Sequence, residues 1–237
     1  FHDDQHGTAI VLLAALLNAA RVLGRELPGM KVVVSGAGAA GTAIARMLRC
    51  VNFDPQVCVP VDDIIVCDSQ GIIDAQRQRL APEKQELLGY TNRHRRSGSL
   101  RDALEGADVF IGVSKGGLLN ADDIRVMAPG PVILAMANPE PEIFPAEAKR
   151  GGAAIVGTGR SDFPNQVNNV LAFPGIFRGA LDAGASAIDG SMKLAAAHAL
   201  AATVGAPSAD KILPTPLDRT VAPRIADAVR QAAGESH

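Results

Sequence analysis

The run Lys31-Val32-Val33-Val34-Ser35, followed at once by Gly36-Ala37-Gly38-Ala39-Ala40-Gly41 and a helix-forming stretch to Leu48, constrains this chain more than any other feature. A short β-branched run without polar alternation has both faces covered, as in the interior of a parallel sheet. The three glycines that follow have separate duties. Gly36 permits the tight turn, Gly38 lets a ligand approach the backbone, and Gly41 lets the helix pack close to the strand. Free amides at such a helix start, those of Ala39 and Ala40 among them, carry partial positive charge and suit a pyrophosphate.

The same alternation continues along the chain. Buried-strand patterns occupy 63–67, 108–113, 132–136 and 154–157. Helical patterns occupy 82–88, 121–127, a short stretch from Pro145, and then 172–183, 191–204 and 221–233. Residues 7–24 are apolar on every face, which predicts an enclosed helix rather than a surface one. Strands alternating with helices predict an α/β fold. The expected architecture is a Rossmann-like, doubly wound, mostly parallel sheet with helices on both faces and extra helices at each end. No internal repeat or long linker divides the sequence, so 1–237 is expected to be a single dinucleotide-binding domain, with Glu235-Ser236-His237 frayed.

Composition narrows the function classes. With 23 basic against 25 acidic side chains the formal net charge is -2, and no basic excess exists to attract a nucleic acid. The one basic cluster, Arg93-His94-Arg95-Arg96 beside Ser97-Gly98-Ser99, reads as a solvated loop. The longest apolar stretch, from Ala9 to Leu17, is half a membrane span, so no membrane partner is expected. Cys50, Cys58 and Cys67 share no C-x-x-C spacing and read as reduced thiols of a cytoplasmic protein, Cys50 and Cys67 buried.

Several polar residues stand where such a fold presents its ligand. Asp68 ends the second strand, where a carboxylate accepts hydrogen bonds from the adenosine ribose. It lies 27 residues past Gly41, against the usual spacing of about 20; the Pro55- and Pro60-containing loop over 51–62 accounts for the surplus. Its charge repels a 2′-phosphate, favouring NAD over NADP, although Ser69, Arg77 and Arg79 lie near enough to help accept one. Gly112-Val113-Ser114-Lys115-Gly116-Gly117 follows another strand and is expected to pass under the nicotinamide-side ribose, with Lys115 suited to a phosphate contact. Asn138, before Pro139, offers an uncharged donor and acceptor at the same sheet edge. Asp3 and Asp4 precede the enclosed helix; one can cap it, or Asp4 can serve as an oxygen ligand for Mg²⁺ or Mn²⁺. Asn168 and Asn169 either cap a helix or present their amides to a ligand.

Together these segments resemble the malic enzymes, in particular the bacterial, oxaloacetate-decarboxylating malate dehydrogenases. The resemblance is strongest in Phe1-His2-Asp3-Asp4-Gln5-His6-Gly7-Thr8-Ala9 and in the stretch from Gly159-Arg160-Ser161-Asp162-Phe163-Pro164-Asn165-Gln166 through Asn168-Asn169 to Phe173-Pro174-Gly175. The glycine run, Cys67-Asp68-Ser69-Gln70-Gly71 and Ala137-Asn138-Pro139 add to it in order.

The resemblance implies conversion of (S)-malate to pyruvate and CO₂, with reduction of NAD(P) and with Mg²⁺ or Mn²⁺ bound. It implies that Asp4 ligates the metal and that Asp3 orients and tunes a catalytic lysine. Asn138 and Asn169 are implied as substrate-side amides and Asn168 as a neighbour of the nicotinamide. The family's acid tyrosine, base lysine and two further acidic metal ligands belong to an N-terminal domain that would precede Phe1. Nothing here replaces them, Tyr90 being the only tyrosine. The chain, which starts without Met, is therefore expected to be a fragment, inactive in isolation, of an enzyme that is usually a homo-oligomer. The alternative is a stand-alone nucleotide-sensing or assembly module: the absent lysine and tyrosine favour it, while Asp3, Asp4 and Asn169 oppose it.

Overall fold

Val32, Val34, Ile64, Val66, Ile111 and Leu134 point to one side of the sheet, and Val33, Ile65, Phe110 and Ile133 to the other; all of these side chains are buried. In the computed structural model, which describes residues 1–235, this alternation builds a six-stranded sheet. Its strands are β1 (Lys31–Ser35), β2 (Asp63–Asp68), β3 (Gly71–Ile72), β4 (Val109–Gly112), β5 (Val132–Ala135) and β6 (Ile155–Thr158). The spatial order is β3-β2-β1-β4-β5-β6, parallel throughout except for the antiparallel β2–β3 pair. Chain order reverses between β1 and β4, so the crevice over the carboxyl ends of those strands is the topological switch point.

Helices cover both faces. α1 (Thr8–Leu23), α2 (Ala39–Leu48), α7 (Phe173–Asp182), α8 (Gly190–Ala202) and α9 (Val221–Glu235) pack on the larger core. The shorter α4 (Leu100–Leu104), α5 (Ala121–Arg125) and α6 (Pro145–Arg150) cover the other side, and α3 (Pro82–Leu87) seals the β2 end with Leu87. A π-helical turn, Asp3–Gly7, leads into α1. The stretch Asp3–Leu23 has the length and hydropathy of a membrane span, yet Ile10, Leu12 and Leu16 are wholly buried inside the protein. α1 is therefore a core helix, as its all-round apolarity predicts.

The expected strands and helices are all present within a few residues of their predicted limits, and Ser236 and His237 of the expected frayed end lie outside the described residues. One strand and one α-helix are additional: the two-residue β3, and α4, which a capping box between Ser99 and Asp102 starts at the end of the arginine-rich loop. That loop is held in place: Arg93 donates to the Asp62 carbonyl and its amide to the Asp63 carboxylate, while Arg96 bonds the carbonyls of Asp102 and Glu105.

Two expectations about the cysteines are corrected. Cys50 and Cys58 are not free thiols but a disulfide, with Cα atoms 5.8 Å apart. The chain leaves α2 through two left-handed residues, Cys50 and Asn52, and this reversal brings Cys58 back against the helix end. Cys50 is half-buried rather than buried. Cys67 is buried as expected, its thiol pushed up to about 12 by burial and by the neighbouring Asp68 charge.

Candidate functional site

The loop between β1 and α2 is shaped by what surrounds its glycines. Gly36 has φ +124°, and a Cβ there would lie 2.7 Å from the Val113 carbonyl oxygen. A Cβ on Gly41 would lie 1.8 Å from the Gly36 carbonyl oxygen, so only glycine allows the helix this close to the turn. Gly38 differs: nothing lies within 4 Å of its would-be Cβ. It is the N-cap of α2 and no side chain caps the helix. The first-turn amides of Ala39 and Ala40 thus open a positive helix end toward solvent space.

A cavity of about 760 Å³ lies over the carboxyl ends of β1, β2 and β4 and brings Gly36, Gly38, Asp68, Ser69 and Ser114 together. Ser35 Oγ and Ser114 Oγ are 3.2 Å apart, joining the first and second glycine loops beneath it. Lys115 lines the same cavity.

Asp68 is placed as expected but is not a bare carboxylate. Arg77 grips it bidentately at 3.0 and 2.9 Å, Lys84 Nζ approaches to 2.5 Å, and the Gln70 amide donates at 2.9 Å. Burial alone would push this carboxyl up; Arg77, Lys84 and Gln70 outweigh it and hold it at about 2. Two cations on one carboxylate leave this corner with a net positive charge. Arg77 was marked by its sequence position, but Lys84, on α3, was not.

The acidic pair lies at the start of the π-helical turn. Asp3 accepts from Asn169 Nδ2 at 2.6 Å through Oδ2, and Asp4 is reached by the same amide at 3.4 Å. Asp3 Oδ1 is buried without a hydrogen-bond partner, pressed on Gly7, where a Cβ would lie 2.2 Å away. Burial first, and then the Asp4 charge, push the Asp3 carboxyl up, against the Asn169 hydrogen bond. Asp4 is exposed. Carboxylate oxygens are the right chemistry for Mg²⁺ or Mn²⁺, yet two acids fall short of a full coordination sphere. Among the described residues no three His, Cys, Asp or Glu side chains converge on a cation.

The asparagines divide. Asn169 joins the acidic pair, whereas half-buried Asn168 accepts from the Val170 amide through Oδ1 at 3.0 Å. Asn138 is exposed beside Gly159, in a cis peptide bond with Pro139, and no hydrogen bond joins it to Asn168 or Asn169.

One buried group escaped the sequence reading altogether. Glu142 has zero exposure and accepts from the amides of Ser114, at 3.1 Å, and Ala137, at 3.0 Å. Its only sequence signal is a charge set between Pro141 and the apolar Ile143.

This architecture coincides with that of known proteins. A family model described as "Malic enzyme, NAD binding domain" matches residues 5–234. The chain belongs to the malic enzyme family. Among the malic enzymes, it is 51% identical, over its whole length, to the bifunctional malic/malolactic enzyme of Bacillus subtilis, covering 56% of that protein. It is 46% identical to the NAD-dependent malic enzyme of Geobacillus stearothermophilus, with 98% of this chain and 47% of that protein covered. The malic enzyme structure from Pyrococcus horikoshii matches with TM-score 0.90 and 42% identity, over 100% of this chain and 55% of that one. The chain thus spans about half the length of these relatives.

Proposed function

We propose that this chain is the dinucleotide-binding domain of an enzyme that oxidatively decarboxylates (S)-malate to pyruvate and CO₂. The observation that carries the proposal is the Gly36–Gly41 turn: uncapped amides and open space at Gly38, set over the switch point, in a member of the malic enzyme family. When bound, the nicotinamide supplies a hydride acceptor and Mg²⁺ or Mn²⁺ a Lewis acid.

The chain's own residues bind and orient. The amides around Gly36, Gly38, Ala39, Ala40 and Gly41 hold the pyrophosphate, Asp68 and Ser69 the adenosine ribose, and Val113 and Ser114 the nicotinamide-side ribose. NAD is the proposed dinucleotide; the Arg77–Lys84 clamp around Asp68 lowers the barrier to a 2′-phosphate and so admits NADP as well. Asn168 lies beside the nicotinamide. Asn138 and Asn169 are the substrate-side amides, Asn169 with its NH₂ group held by the acidic pair. Asp4 holds the cation from this side. Asp3, with a buried unpartnered oxygen beside a second acid, is poised to receive and orient an ammonium group.

The base lysine, the acid tyrosine and the remaining metal ligands are assigned to a second domain of the enzyme, which acts as a homo-oligomer. The 237-residue chain alone is therefore expected to bind NADH in a calorimetric titration while turning over malate negligibly. Robust malate-dependent NADH or NADPH formation by the purified chain, its mass verified, would refute that division of labour.

A further inference from the structure

We infer that Glu142 is a positioning residue that holds the nicotinamide end of the dinucleotide site, an assignment that rests on the dinucleotide reading above. Its carboxylate bridges two loops. Oε1 accepts from the Ser114 amide in the loop after β4, and Oε2 from the Ala137 amide in the loop after β5. The same segment ties the first loop twice more through its backbone, by Gly117 N–H to the Pro141 carbonyl and Leu119 N–H to the Glu142 carbonyl, both 3.0 Å. β4 ends in glycine because the carboxylate lies against it: a Cβ on Gly112 would meet Glu142 atoms at 2.2 to 2.6 Å.

The chemistry requires an ionised acid. Two amide N–H groups converge on one side chain, and only a carboxylate offers an acceptor to each; a glutamine would turn its NH₂ group toward one of them. Burial pushes the Glu142 carboxyl up, against the opposing pull of the Ala137 and Ser114 hydrogen bonds. Among the described residues no cation pairs with it. Stability alone gives poor reason to keep such a charge, since burying an unpaired carboxylate is costly. Its placement gives a better one: the two loops it joins carry Ser114, with its partner Ser35, and Asn138. The adenosine corner at Asp68 is built by other residues, Arg77, Lys84 and Gln70.

This separation makes the assignment testable on the chain itself. Wild type and Glu142→Gln are titrated calorimetrically with NADH and with ADP, which lacks both the nicotinamide and its ribose. A lost charge-assisted hydrogen bond predicts a fall of about tenfold in the ratio of NADH to ADP affinity, with ADP binding within about twofold of wild type. Equal loss for both ligands, or no change in either, overturns the positioning role and leaves the dinucleotide reading intact. Failure of the wild type to bind either ligand overturns both. Should Glu142→Gln not fold, amide NMR of the wild type decides: shifts at Ser114 and Ala137 with NADH but not ADP support the assignment, and equal shifts with both overturn it.

Discussion

Acid should dismantle the Asp68 clamp in a measurable way. The carboxyl is held at about 2, against an ordinary value of 3.8. A folded value below the unfolded one means stability that is fully present above the unfolded value and lost as pH falls through the folded one. A depression of this size corresponds to about 2 kcal/mol. The side chains of Asp68 and Arg77 are only 10% and 17% exposed, so solvent screening takes little from that figure. Urea unfolding of the wild type and of Asp68→Asn, followed by circular dichroism from pH 7 to pH 2, isolates this carboxylate because all other acids titrate in both proteins. The stability gap between them is expected to hold constant down to about pH 5 and then close by about 2 kcal/mol toward pH 2. Parallel stability curves over that range would show that Arg77 and Lys84 do not grip Asp68 in solution.

Three further outcomes follow from other contacts. Gly41→Ala, whose new Cβ would lie 1.8 Å from a backbone oxygen, should abolish NADH binding in calorimetry and lower stability by about 2 kcal/mol or more. Lys84→Ala removes one of the two cations at Asp68 and should weaken NADP more than NAD, which the ratio of the two dissociation constants reads directly. In the enzyme carrying both domains, Asp4→Asn should raise the Mn²⁺ concentration needed for activity far more than it weakens NAD binding; equal losses would point to a role in starting the helix instead.

The fold was legible where burial alone decides local structure. β1, β2, β4 and β5 are enclosed on both faces, and such strands announce themselves as short apolar runs rich in Val and Ile. β3 was not legible, because two residues paired antiparallel leave no periodicity. The glycine turn was readable because its spacing encodes the geometry. The groups that steady the site were hidden for a common reason: each depends on partners far away in sequence. Glu142 meets Ser114 across 28 residues, and Lys84 meets Asp68 across 16. Cys50 and Cys58 are closer, yet their pairing depends on a left-handed reversal after α2 that no spacing rule marks.

The enclosure of α1 bears on how a complete active centre is assembled. Asp3 and Asp4 stand on the turn that feeds this helix, and the helix has almost no free side on which to slide or roll. Displacing the acids by even one ångström would drag close-packed side chains through the larger core, which resists deformation as a solid does. The acidic pair therefore behaves as a fixed anvil. In the proposed enzyme, any stroke that opens the centre to substrate and shuts it again has to be made by whatever comes down to meet it.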